Sequence, residues 1–192
     1  ESNPLLEEGY LTQNFTDVWV YVDDQIIGAF ELPATIPILA NGDHKVALYA
    51  GVMYNGISGT RGAYLFTRPR IYQDMELFMD SVITRNPRVS YYDNCKFLWM
   101  EDFEGTLSIA VTSNSDTSIM KHYHPQEDEF LGLISGMGNL DEEHKVWEVT
   151  SFDPESPGFD FPSGGQPVFL EMDYNTNNYM AVGIFVTEIG SG

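Results

Sequence analysis

Two histidines set two residues apart, His122 and His124, stand in the stretch KHYHPQEDEFLGLISG, with Glu129 after a short gap and Gly136 at its end. On a strand, residues two apart face the same way, so both imidazoles could reach one cation while Glu129 came round a turn as a carboxylate ligand. Pro125 removes a ladder donor immediately after His124, however. The expectation is therefore a solvated loop in which these histidines pair with nearby carboxylates.

Read as H-x-H, four residues, E, six residues, G, the stretch resembles the first signature of the cupin barrels. Asp116 stands where that signature has an upstream glycine, and the second signature is absent. His144, in DEEHKVW, lacks the Pro, Gly and Asn that should surround a second-signature histidine. A cupin-type metalloprotein is accordingly the third reading of the chain.

Other reactive constellations are sparse. There is no G-x-S-x-G elbow, no P-loop and no Rossmann glycine pattern, and Cys95 has Lys96 but no histidine beside it. Glu101, Asp102, Glu104 and Glu171 are the carboxylates that could pair for glycoside hydrolysis. On a strand, Glu101 and Asp102 would face opposite ways, and acids at strand edges commonly serve to discourage edge pairing. The expectation is a protein without catalytic activity. The loops GNLDEEHK and SNSDTS offer oxygen ligands but no EF-hand frame, so no cofactor is expected beyond a structural Ca²⁺, which stays open.

Binding a sugar needs aromatic faces for its C–H surfaces and carboxylates or amides for its hydroxyls. The second half is rich in such rings: Tyr91, Tyr92, Trp99, Tyr123, Trp147, Phe159, Phe161, Tyr174 and Tyr179. Trp99 lies in an apolar run and reads as core. Trp147, between Val146 and Glu148, can be core or platform. Tyr91 and Tyr92 are adjacent, so on a strand one must face away from the core. Trp147, Tyr91 and Tyr92 are the candidate ligand-binding residues.

The elements that would position these groups are strands. DVWVYVDDQIIGAFEL predicts a hairpin with arms Val18 to Val22 and Ile26 to Leu32 and a turn at Asp23, Asp24 and Gln25. GDHKVALYAGVMY predicts another strand, AYLF and MELFM two more, and FLWMEDFEG, TLSIAVT and KVWEVTSF short ones. VFLEMDYN and YMAVGIFVTEI predict a closing pair joined by a turn at Asn175 to Asn178. Many short strands punctuated by Gly, Pro and Asn argue for all-β architecture, with antiparallel sandwiches or barrels. Pro87, flanked by charges in TRNPRV, divides the 192 residues into two candidate domains, 1–87 and 88–192.

Composition bounds the partners. Hydrophobic residues make up 43% and aromatics 14%, enough for a core in each half. The net charge of −20 repels phosphate backbones and anionic lipid, so nucleic acid is excluded as a partner. The N-terminal part carries 11 acidic and 5 basic residues and the remainder 18 and 4, which concentrates the acidity beyond Pro87. One cysteine permits no internal disulfide, and no apolar run is long enough for a membrane span. The opening ESNPLLEEGY has neither the basic start nor the apolar core of a signal peptide, so an exported protein would already have lost its signal.

VYVDDQIIGAFELPATIPILANGDHKVAL resembles the PEGA-type surface domains, in which a V-x-V-D-G-type turn, a G…LP stretch and a G-x-H-x-V strand follow one another. Asp24 stands where that pattern has glycine. With FTRPRI, WMEDFE and the closing VFLEMDY…VGI, residues 16 to 189 resemble uncharacterised surface lipoproteins of Bacteroidetes type. DFEG, at Asp102 to Gly105, resembles the first strand of galactose-binding-like jelly rolls and carbohydrate-binding modules, which bind sugar on a concave face or through end loops. The resemblance implies two small antiparallel β-sandwiches, PEGA- or Ig-like and then a jelly roll. It also implies export, a lipidated cysteine upstream of these residues, and display on the bacterial surface or outer membrane. The leading expectation is non-catalytic binding of a glycan. The alternative is a structural or adhesive subunit that binds another surface protein, and fold likeness alone does not choose between them.

Overall fold

DVWVYV alternates β-branched and aromatic residues with almost no polar interruption, and it forms the centre of the larger sheet. The computed structural model describes residues 8, 9, 12–124, 133–151, 159, 161, 162 and 164–184. Its first strands are β1 (Asp17–Val22), β2 (Gln25–Glu31), β3 (Gly42–Met53), β4 (Arg61–Ala63) and β5 (Arg70–Leu77). They make one five-stranded antiparallel sheet in the order β2-β1-β3-β4, with β5 also on β3. The length of β3 explains this. Its residues 46–51 face β1 along one edge, while its other edge takes β5 over 42–48 and then β4 over 51–53.

The β1–β2 connection is a two-residue turn in which Asp23 and Asp24 both adopt left-handed backbone, at φ 49° and 64°. Aspartate tolerates that region, and here its side chains also do cross-strand work. Asp23 accepts the Lys45 N–H at 3.0 Å and stands 2.7 Å from His44 Nδ1, while Lys45 Nζ donates to Asp24 at 2.6 Å. The glycine of the resembling pattern is thus replaced by a residue that ties the turn to β3.

Val18, Val20 and Val22 are buried on one face, and Val22, Val46, Met75 and Leu77 form a core with Ile38, Ala40, Leu48, Tyr72 and Ile83 packed against it. Beyond Pro87 the ladders are short. β6 (Ile109–Val111) pairs with β9 (Val149–Ser151), and β7 (Met120–Tyr123) with β8 (Ile134–Met137), both antiparallel. The all-β antiparallel class expected from the sequence is what the chain forms. No helix of the described residues is long and apolar enough to cross a membrane.

Three local expectations need correcting. AYLF leaves only Ala63 in a strand, because β4 ends there and Leu65 and Phe66 form a turn before Thr67 bridges to Tyr91. FLWMEDFEG contains no strand, because Glu101 accepts the backbone N–H of Phe103 and Ser108 and Phe103 takes φ 62°, which turns the chain. Residues 164–184 likewise contain no strand. Side chains hold that segment instead: the Phe169 ring lies 5.3–5.6 Å from those of Phe66, Tyr64 and Tyr54, and Glu171 accepts from Tyr64 and Tyr91. The remainder of YMAVGIFVTEI, from Phe185 on, lies outside the described residues.

Candidate binding face

The five-stranded sheet has two apolar faces. Directly opposed residues of antiparallel strands share a face, so Trp19, Tyr21, Ala29, Ala47 and Tyr49 all point away from the core valines. A register shift between Val20 and Tyr21 makes β2 bulge. Ile26, opposite Tyr21, then lies on this outer face together with Ile27, two residues from Ala29. Ile71, opposite Ala47, completes it on the β5 side. Ile26 is 55% exposed, Ile27 41% and Ile71 40%.

Three aromatic side chains run down the middle. Tyr21 and Tyr49 meet edge to face with ring centres 5.2 Å apart at 61°. Trp19 lies over Gly51, where a Cβ would meet its ring and the Asp17 side chain, so glycine is what lets the indole settle onto β3. All three rings are half-buried, and the Trp19 Nε1–H is buried without an acceptor.

Charged groups close both ends of the strip. At one end Arg61 Nη1 bonds to Asp17, itself only 1% exposed, and Arg61 Nη2 approaches Glu31 at 3.6 Å. At the other, Lys45 pairs with Asp24, and Asp43 stands directly opposite Glu76 across β3 and β5. The opposite face is covered. The Tyr54 ring sits against Gly62, the partner of Val52 on the core side, and Phe169 packs on Tyr54 there. At its far end a groove of about 120 Å³ opens among Ile36, Ile38, Met75, Leu77 and Phe78.

The residues singled out from the sequence are placed separately. Tyr91 is half-buried, donates to Glu171 at 2.8 Å and packs edge-on against Phe97 at 5.1 Å. Burial and then the Glu171 carboxylate push the phenols of both Tyr91 and Tyr64 far above their ordinary range, so both stay protonated donors. Tyr92 is exposed, with the Arg68 guanidinium 5.9 Å from its ring centre and Arg68 paired with Asp93. Trp147 is half-buried against Gly138, where a Cβ would overlap its ring, and its Nε1–H has no acceptor. Among the described residues no ring contact or hydrogen bond joins Trp147 to either tyrosine.

His122 lies on a strand rather than in a loop, opposite Ser135 in the β7–β8 ladder, and just beyond that strand the His124 N–H donates to Leu133 O at 2.9 Å. The ladder runs from Met120 opposite Met137 to Tyr123 opposite Ile134. The two imidazoles share a face as their spacing predicts, 4.9 Å apart edge to face, and His124 Nε2 is 2.7 Å from Ser135 Oγ. Glu129 lies outside the described residues. Among the described residues no three His, Cys, Asp or Glu side chains gather as a metal would need. Gly136 has a packing reason of its own, since a Cβ there would overlap the Phe103 ring.

The carboxylates considered for hydrolysis tie loops. Glu101 accepts from Ser108 Oγ at 2.9 Å, Asp102 from the Glu104 N–H at 3.0 Å, and Glu104 from the N–H groups of Leu133 and Ile134. Sequence reasoning missed the outer face because it sought aromatic residues only beyond Pro87. The signal was present in DVWVYV, since an antiparallel strand with one wet face should alternate and this one does not. No family model, no curated protein and no solved structure matches the chain.

Proposed function

We propose that this is a non-catalytic binding protein of the bacterial cell surface that docks another polypeptide on the outer face of its five-stranded sheet, as a structural or adhesive subunit. The observation that carries this reading is the composition of that face. Ile26, Ile27 and Ile71 are aliphatic and exposed, and they flank an aromatic strip closed by charges at both ends. An apolar centre with a polar rim is the anatomy of a protein interface. The rings of Tyr21 and Tyr49 stand at 61° to one another, so they do not form the coplanar platform that a sugar ring favours. Placement on the cell surface, with a lipid anchor, rests on the resemblance to PEGA-containing surface lipoproteins.

A glycan remains the second reading, favoured by Tyr92, whose exposed ring has a guanidinium and a carboxylate beside it. The two are separated by screening a displayed peptide library and a glycan panel against the chain and its Ile26→Glu variant. Peptide enrichment abolished by Ile26→Glu is the expected result. Saturable glycan binding that survives the substitution, with no peptide enriched, would transfer the function to carbohydrate.

A further inference from the structure

Asp43 and Glu76 are directly opposed across β3 and β5, and both are exposed. Alternation along β3 puts Asp43 on the side of Lys45, Ala47 and Tyr49, so the pair ends the outer face, with Asp24 close by through its bond to Lys45. Like charges facing one another across strands destabilise a sheet. Lys45 pairs with Asp24 at 2.6 Å and His44 feels the Asp43 charge, but the four carboxylates Asp23, Asp24, Asp43 and Glu76 outnumber these two bases. The sheet therefore holds a net negative site at the end of its outer apolar face, in a chain whose net charge is −20.

We infer that the partner polypeptide carries basic side chains beside its apolar surface, and that they seat on Asp43 and Glu76; this rests on the polypeptide reading above. A second copy does not fit. An isologous contact would bring together two chains of −20 each. A basic rim would instead relieve the like-charge pair and steer the encounter electrostatically.

The test uses the full chain and two synthetic strand-forming peptides, one alternating valine with lysine and one alternating valine with glutamate, titrated at low and high salt. The valine–lysine peptide should bind at least about tenfold tighter, and the difference should shrink at high salt. Glu76→Lys should reduce its binding several-fold while raising the melting temperature, since lysine would then face Asp43. Binding lost by a better-folded variant cannot be ascribed to unfolding. Glu142→Lys makes the same charge change in the turn at Asp141 and should leave binding close to wild type.

If Glu142→Lys weakens binding as much as Glu76→Lys, the attraction is general and the assignment to this site falls. Equal binding of both peptides overturns the basic rim while leaving a polypeptide partner standing. Failure of both peptides, together with an empty library screen, overturns the rim and the polypeptide reading together.

Discussion

Removing the Arg61 guanidinium would leave the Asp17 carboxylate, 1% exposed, with Thr16 Oγ1, at 2.7 Å, as its one side-chain donor among the described residues. Breaking a buried ion pair from one side strands a charge, so Arg61→Met should cost roughly 3 kcal/mol, read from denaturant midpoints. Double replacement with Asp17→Asn should recover much of that loss. Gly138 and Gly136 make a second case. A Cβ at either would enter the ring of Trp147 or Phe103, so each Gly→Ala variant should lose about 1–3 kcal/mol by overpacking. Neither dependence was legible in the sequence. Arg61 and Asp17 are separated by 44 positions, and Gly136 reads equally well as a motif glycine or a packing one.

At the level of elements, most of the large sheet was legible, while the paired β7 and β8, read as a loop, and the unpaired residues 164–184, read as strands, were not. The hairpin of β1 and β2 and the long β3 follow from alternation and turn residues, whereas VFLEMDYN has β-prone composition but joins no ladder among the described residues. Beyond Pro87, carboxylates perform part of the work of a ladder. Asp116 accepts the N–H groups of Lys145 and Val146, Asp141 those of Glu143 and His144, and Glu104 those of Leu133 and Ile134. This gives the acidity of the second half a structural role.

These backbone bonds hold Asp116 and Asp141 below the ordinary value of 3.8. Their contribution is therefore present above that value and lost as pH falls through the depressed ones. Amide exchange at Val146 and His144, corrected for its intrinsic pH dependence, should accelerate on acidification before that of the β1–β3 ladder. The turn clasp behaves differently. His44 is raised above 6.5 chiefly by its bond to Asp23, and Asp23 is lowered below 3.8 chiefly by His44 and then by the Lys45 N–H. The aspartate part is lost as pH falls through its depressed value, and the histidine part as pH rises through its raised one. The stability difference between wild type and His44→Gln should be greatest around pH 5 and decline on either side.

For the whole molecule, charge and composition spoke clearly about what the protein avoids and weakly about what it meets. A net charge of −20 opposes nucleic acid and anionic lipid without selecting a ligand. What selects one is the placement of side chains by the register of the large sheet. That register gathers Trp19, Tyr21 and Ile26 of one hairpin with the distant Tyr49 and Ile71 onto one face. The bulge in β2 adds a second isoleucine to that face and also distorts the free edge of the sheet, which favours docking on the face over strand addition at the edge.

The most direct measurement places a photo-reactive amino acid at Ile26, and separately at Tyr123 on β7 as a control, and illuminates the chain on intact cells of its source. A discrete polypeptide conjugate from position 26, absent from position 123 and suppressed by excess unlabelled chain, is the predicted result. Conjugation to glycan at position 26, or the same products from both positions, would contradict the assignment of the outer face as a protein-docking surface.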